Sequence, residues 1–256
     1  MADTVTLSTE ARGVARITIV RPDRKNAFDA MLIAQLTEAV ARVDRSARAV
    51  VLQSEGDTFS AGADVEWMRG MADQSLDDNL ADSKALAKMY RALYDLEMPL
   101  LARVQGAAIG GGAGLVAVAD IAVASTEATF AFSETRLGIL PAVVSPYVVR
   151  KIGPARATAL FVTGSRIDAR RAHEIGLVER VVERSDLDAA VGRVLDAIVS
   201  GGPKAVNAAK RLVREVEGRP LDEVAELTVK RIAEIRVSHE GQEGLRAFLE
   251  RRDPRW

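Results

Sequence analysis

The 256-residue chain contains no cysteine and only two histidines, His173 and His239. Without cysteine there are no disulfides, no thiolate nucleophile and no Cys-built zinc or iron–sulfur site. The histidines lie far apart and outside any HExxH pattern, so no metal site is expected. A Ser-His-Asp triad would require one of them to fold into a cleft. Excess charge of either sign is also missing. Lys and Arg total 35 against 36 Asp and Glu, a net −1, which offers nucleic acid or an anionic membrane no basic footprint. The longest uncharged stretch, Val104 to Ala119, is too short and glycine-rich for a membrane span and reads as buried core. MADTVTLSTEARG at the start has neither the basic nor the apolar region of a secretory signal, so a cytoplasmic protein is expected.

What is present suits one sizeable globular unit: 48% hydrophobic and 28% charged residues in a chain long enough to bury a substantial core. Val14 to Val20 alternates as a half-exposed strand does, with Ile17 and Ile19 opposite Arg16 and Thr18. Asp29 stands at an N-cap position before Leu32, Leu36, Ala39, Val40 and Val43 at helical spacing. Strands are expected at Ala49–Leu52, Leu100–Val104 and Ile121–Ala124, with a long helix over about 76–96. This alternation predicts an α/β fold. Beyond Ser145 the patterns are helical, at about 155–162, 186–199, 203–216, 221–237 and 240–251, with one strand near 178–182. Leu221, Val224, Leu227, Ile232 and Ile235 form a broad apolar stripe. Two regions follow, a core over 1–195 and a helical region over 196–256 that packs on the core and on a neighbouring subunit.

Three short pieces carry chemistry. Phe59-Ser-Ala-Gly-Ala-Asp64 leads from a strand toward a helix near 65–71. Gly110-Gly-Gly112 separates a strand from an apolar helix. Small residues at such places leave helix-start N–H groups open to an anion or a developing negative charge. Two such sites converging on one oxygen make an oxyanion hole. Glu134, within Phe130–Gly138, stands among apolar neighbours, where a half-buried carboxylate gains a raised pKa and exchanges protons near neutrality. Taken singly, each has an ordinary structural reading as a tight turn, a helix cap or a solvated charge. The glycines match neither GxxxxGK[ST] nor the dinucleotide-binding GxGxxG pattern.

In order and spacing, FSAGAD at 59–64, QGAAIGGGAGL at 105–115 and FSETRLGILP at 132–141 resemble the enoyl-CoA hydratase/isomerase (crotonase) family. So do RPDRKNAF at 21–28, ADIAVAS at 119–125, AHEIGLVERVV at 172–182 and EGQEGLRAFLERRDP at 240–254. The resemblance covers essentially the whole chain. It implies a crotonase-like stack of ββα units with a helical C-terminal trimerisation region, assembled as a homotrimer or a dimer of trimers. The substrate would be an acyl-CoA thioester, with coenzyme A part of the substrate and no separate cofactor. The N–H groups of Ala63 and Gly111 would hold the thioester oxygen and Glu134 would move the proton. CoA would lie along Arg24, Lys25, Ala27 and the turn containing Ala61, Asp64 and Val65, with Arg251 reaching it from a neighbouring subunit.

One departure bears on the reaction. Where hydratases of this family carry a second glutamate on the helix after the glycines, this chain has Gly114, which reads as a vacant place beside the substrate. A single glutamate suits either hydration of a 2-enoyl-CoA or double-bond migration in a 3-enoyl-CoA. LPAVVSPYVVRKIG at 140–153 resembles the methylglutaconyl-CoA hydratase branch, so hydration of a short or branched 2-enoyl-CoA, with 3-methylglutaconyl-CoA as the candidate, is the leading expectation. Isomerisation is the alternative. A non-catalytic relative that binds CoA or RNA is a third, the basic stretch Lys204–Arg214 being the nearest RNA-binding candidate.

Overall fold

The computed structural model describes residues 3–256. Strands β1 (Val5–Thr9) and β2 (Val14–Ile19) form an antiparallel pair, and α1 (Ala30–Ala41) follows. Asp29 caps α1 by accepting the Leu32 N–H at 2.8 Å, as its position predicts. Next come β3 (Ala49–Ser54), α2 (Val65–Ala72) and α3 (Leu76–Tyr94), then β4 (Leu100–Val104), β5 (Ala108–Ile109) and α4 (Gly111–Val118). A fourth round supplies β6 (Ile121–Ser125), β7 (Thr129–Ala131), α5 (Ser145–Ile152) and α6 (Pro154–Thr163). The chain finishes with β8 (Ile167–Asp168), α7 (Ala169–Glu174), β9 (Arg180–Val182), α8 (Leu187–Ser200), α9 (Pro203–Val216), α10 (Leu221–Val237) and α11 (His239–Glu250).

The repeated β-β-α order distributes its strands between two sheets. The larger runs β1-β2-β3-β4-β6-β9 and is parallel from β2 onward, while the smaller runs β5-β7-β8. A bridge between Ser60 and Ala108 extends the smaller sheet toward the loop after β3. The first repeat keeps both strands in the wide sheet; the later ones send one strand to the wide sheet and a bridge or strand to the narrow sheet, and then a helix. This is the α/β stack of ββα units that the sequence predicts.

Parallel strands covered on both faces must be apolar throughout. Along β3, Val50 and Leu52 join the main core, while Ala49 and Val51 face a second cluster made with Leu187, Ala190, Val191 and Leu195 of α8. The expected division at 195/196 falls inside α8, which is part of this packing. Beyond it, α9 is tied to the core through Lys210, whose Nζ meets Asp120 Oδ2 at 2.6 Å and the Met98 carbonyl at 2.8 Å. Arg214 lies 3.7 Å over the Tyr94 ring. The stripe on α10 stays largely exposed, with only Val224 buried. Among the described residues no helix is long and apolar enough to cross a membrane.

Candidate functional site

The loop after β3 and the loop before α4 lie against each other, and the small residues make this approach possible. Phe28 N–H donates to the Gly62 carbonyl at 2.6 Å and Asp64 N–H donates to the Phe28 carbonyl at 2.7 Å. Alternation along this bridged segment turns the intervening Ala63 N–H the other way, and it has no acceptor among the described residues. Gly110 adopts φ 52° and ψ −118°, a conformation suited to glycine. Its N–H donates to the Ala131 carbonyl at 2.8 Å. Helix α4 begins at the next residue, so the Gly111 N–H has no partner inside the helix, and none outside it among the described residues.

Side chains at these glycines would collide with the opposing loop. A Cβ on Gly111 would stand 2.7 Å from Phe28 Cε2, and one on Gly112 would stand 2.5 Å from the Ser60 carbonyl oxygen. The glycine run therefore surrenders roughly 1 kcal/mol of helix preference per interior position to bring two free N–H groups to one wall. Both Ala63 and Gly111 line a cavity of about 400 Å³.

Glu134 lines the same cavity. It opens a 3-10 turn, Glu134–Leu137, directly after the buried Phe132. Its Oε1 lies 3.1 Å from the place a Cβ on Gly110 would take. Its Oε2 is buried with no hydrogen-bond partner. Burial raises the carboxyl above its ordinary pKa, because the charged form loses hydration that a hydrogen bond from its own backbone N–H only partly replaces. Two residues whose N–H groups are unpaired among the described residues, one of them at the positive end of α4, and one carboxyl-bearing residue thus line a single cavity. That set can stabilise charge developing on an oxygen and move a proton nearby.

The other predicted residues fall differently. Ala61 is on the cavity wall, whereas Arg24, Lys25, Ala27 and Asp64 form the turn beside it. Asp64 is buried and caps α2, and Arg21 and Arg24 flank its carboxylate. Arg24 also donates to Glu66 at 3.0 Å. Val65 is exposed and off the wall. Arg251 ends α11, which packs on α9 and α10 and does not reach the cavity within one chain. Gly114 is not the vacancy that the sequence suggests. It lies off the wall, where a Cβ would overlap Val144 Cγ1 and stand 2.9 Å from the Tyr90 hydroxyl. Among the described residues no cluster of three or more His, Asp or Glu could hold a metal ion.

Sequence reasoning missed Asn26, Tyr90 and Val144. Asn26 is fully buried at φ 54°, and its side chain accepts from Arg21 N and donates to the Glu55 and Thr58 carbonyls. It joins the 21–28 turn to the end of β3. An asparagine in a charged turn signals a left-handed residue, but its distant partners leave no local trace.

The family profile described as Enoyl-CoA hydratase/isomerase matches residues 9–256. The chain belongs to the enoyl-CoA hydratase/isomerase family. A solved enoyl-CoA hydratase from Shewanella pealeana superposes with a TM-score of 0.93 at 38% identity, covering 99% of this chain and 96% of that one. Enoyl-CoA hydratase EchA19 of Mycobacterium tuberculosis is 33% identical over 245 residues, 93% of this chain and 91% of its own length. The trans-2-decenoyl-[acyl-carrier-protein] isomerase of Streptococcus mutans is 27% identical over 248 residues, 95% and 94% of the two chains. The protein is therefore an acyl-CoA enzyme of a family that includes both hydratases and isomerases.

Proposed function

We propose that the protein adds water to, or removes it from, a short or branched 2-enoyl-CoA through an enolate. The observation that carries this is that Ala63 and Gly111, whose N–H groups have no partner among the described residues, line one cavity together with the half-buried Glu134. In the hydration direction, Glu134 takes a proton from water as the water oxygen bonds to C3. The C2=C3 pair shifts toward the thioester, and the resulting enolate oxygen rests on the two N–H groups. Glu134 then returns its proton to C2, leaving a 3-hydroxyacyl-CoA. Loss of one donor from such a pair costs about 10²–10³ in rate.

The acyl end is uncharged in this reading. The rest of the cavity wall includes Met68, Met71, Leu86, Ile139 and Val143, and among the described residues it carries no Lys, Arg or His. A second carboxylate, as in 3-methylglutaconyl-CoA, would be desolvated there without a partner. The CoA half lies over Arg24, Lys25, Ala27 and Ala61. Exposed Leu245, Phe248 and Leu249 on α11 support a homotrimer or dimer of trimers in which Arg251 reaches a neighbour's nucleotide.

The filled space at Gly114 favours one second reading. With no other carboxylate beside Glu134, the site also suits a 3,2-enoyl-CoA isomerase, in which Glu134 removes a C2 proton and returns it to C4. RNA binding by α9 has less support: Lys210 and Arg214 engage Asp120, and Arg211 pairs with Glu215. Separate incubations with 2-enoyl- and 3-enoyl-CoA, followed by mass spectrometry, test the assignment. A product heavier by one water from a 2-enoyl-CoA is expected. Its absence from every 2-enoyl substrate, with migration of the 3-enoyl double bond, establishes the isomerase instead.

A further inference from the structure

The first turn of α4 is the weakest stretch of helix in the molecule by composition, yet it has to present one N–H accurately. Gly110, Gly111, Gly112 and Gly114 bring no Cβ atoms to restrict the backbone, and glycine has the most conformational freedom to lose. Packing by Phe28 and Ser60 confines this turn sterically. A directional hold comes from a different element. Tyr90, on α3, is fully buried, and its hydroxyl donates to the Gly111 carbonyl at 2.6 Å.

This hydroxyl occupies a place that side chains on α4 would otherwise take. It lies 3.2 Å from a Cβ built on Gly111 and 2.9 Å from one built on Gly114. The Tyr90 ring is set by its neighbour Tyr147, with ring centroids 5.8 Å apart, so the phenol itself has little freedom. Glycine at 111 and 114 admits the phenol, and the phenol in turn anchors the residue whose N–H faces the cavity. Apart from the Gly110 N–H bond to the Ala131 carbonyl, which holds the residue before the helix, the remaining contacts of these glycines with other elements are steric.

We propose that Tyr90 is a positioning residue: its hydroxyl, by holding the Gly111 carbonyl, keeps the Gly111 N–H aimed at the substrate oxygen. Tyr90 does not line the cavity and so acts only through Gly111. The inference rests on the reading of that N–H as a thioester-oxygen donor. Small losses of alignment at a reacting group are amplified, a misplacement of about 1 Å costing up to about 10² in rate.

Tyr90→Phe removes the hydroxyl and keeps the ring. The expected result is a kcat lowered about tenfold with KM within about twofold, as for an interaction made mainly in the transition state. Bound cinnamoyl-CoA supplies a spectroscopic readout, because polarisation of its thioester carbonyl shifts its absorbance to the red. The wild-type protein should give that shift and Tyr90→Phe a smaller one. A variant with wild-type kcat and an unchanged red shift overturns the proposal. Should the wild type give no red shift, the oxyanion reading itself fails. Hydrogen exchange over residues 108–114 separates the two cases: faster exchange in Tyr90→Phe supports the anchoring role, and unchanged exchange overturns it.

Discussion

Gly114 provides the sharpest stability test, because local preference and packing act there with opposite signs. Replacing an interior helical glycine by alanine gains about 1 kcal/mol in an open helix. Here the added methyl would overlap Val144 Cγ1, and Val144 is buried at 4% exposure. Overpacking of this kind costs about 1–3 kcal/mol. Gly114→Ala should therefore be neutral to destabilising by about 2 kcal/mol in the native background. In a Val144→Ala background the closest contact is gone while the Tyr90 hydroxyl at 2.9 Å remains, so the same substitution should cost less than in the native background, by about 1–2 kcal/mol. That difference is the coupling between the two sites. Urea denaturation of the four proteins in this cycle, at one protein concentration so that any assembly contributes equally, measures it. Additivity within about 0.5 kcal/mol would refute the claim that Val144 occupies the place of a side chain at 114. It would also reopen that place to water or substrate.

Glu134→Gln should lower kcat/KM by about 10²–10⁴, read in the hydration assay. The wild-type rate should fall with acid at a pH above the ordinary carboxylate range, because burial raises the Glu134 pKa. The same shift has a stability sign. A raised folded-state pKa favours folding in full below the unfolded pKa and loses that contribution as pH rises through the folded value. Glu134→Gln should thus unfold later than wild type at neutral pH, with the difference vanishing in acid; a constant difference would contradict this. Asp120→Ala leaves Lys210, with a side chain only 9% exposed, without its carboxylate. It should cost about 3 kcal/mol, the lower end for breaking a buried pair, since Asp120 retains some solvent contact; calorimetry checks it. Matched 3-methylpent-2-enoyl-CoA and 3-methylglutaconyl-CoA differ in the acyl tail by methyl against carboxylate, and kcat/KM should favour the uncharged thioester by about 100-fold. A preference for the dicarboxylic substrate would show that a cation reaches the cavity.

Elements announced by local chemistry were legible. Asp29 with its apolar spacing marks α1, and the mostly apolar Leu100–Val104 marks β4. Elements defined by their partners were not. β1 is a half-exposed edge strand recognised only by its register with β2. β5 and β8 have two residues each, too few for any periodicity. α5, with a proline in its first turn, followed the start rule for helices but was not among the helical stretches read from the sequence. At the site, Ala63, Gly111 and Glu134 were recognisable from motifs in family order, while Asn26, Tyr90 and Val144 act across long sequence separations.

The sequence by itself determined the family, the α/β alternation and the identity of the small residues flanking one glutamate. These depend on nearest neighbours along the chain, whose spacing and caps can be read directly. Tertiary structure alone decided that the two loops share a cavity, that Glu134 lines it with one oxygen buried and unpaired, and that Gly114 packs against Val144 and Tyr90. Free space, burial and hydrogen-bond satisfaction belong to atoms brought together by folding. A glycine read in the chain as a missing carboxylate is, in the fold, the room that a valine and a tyrosine require.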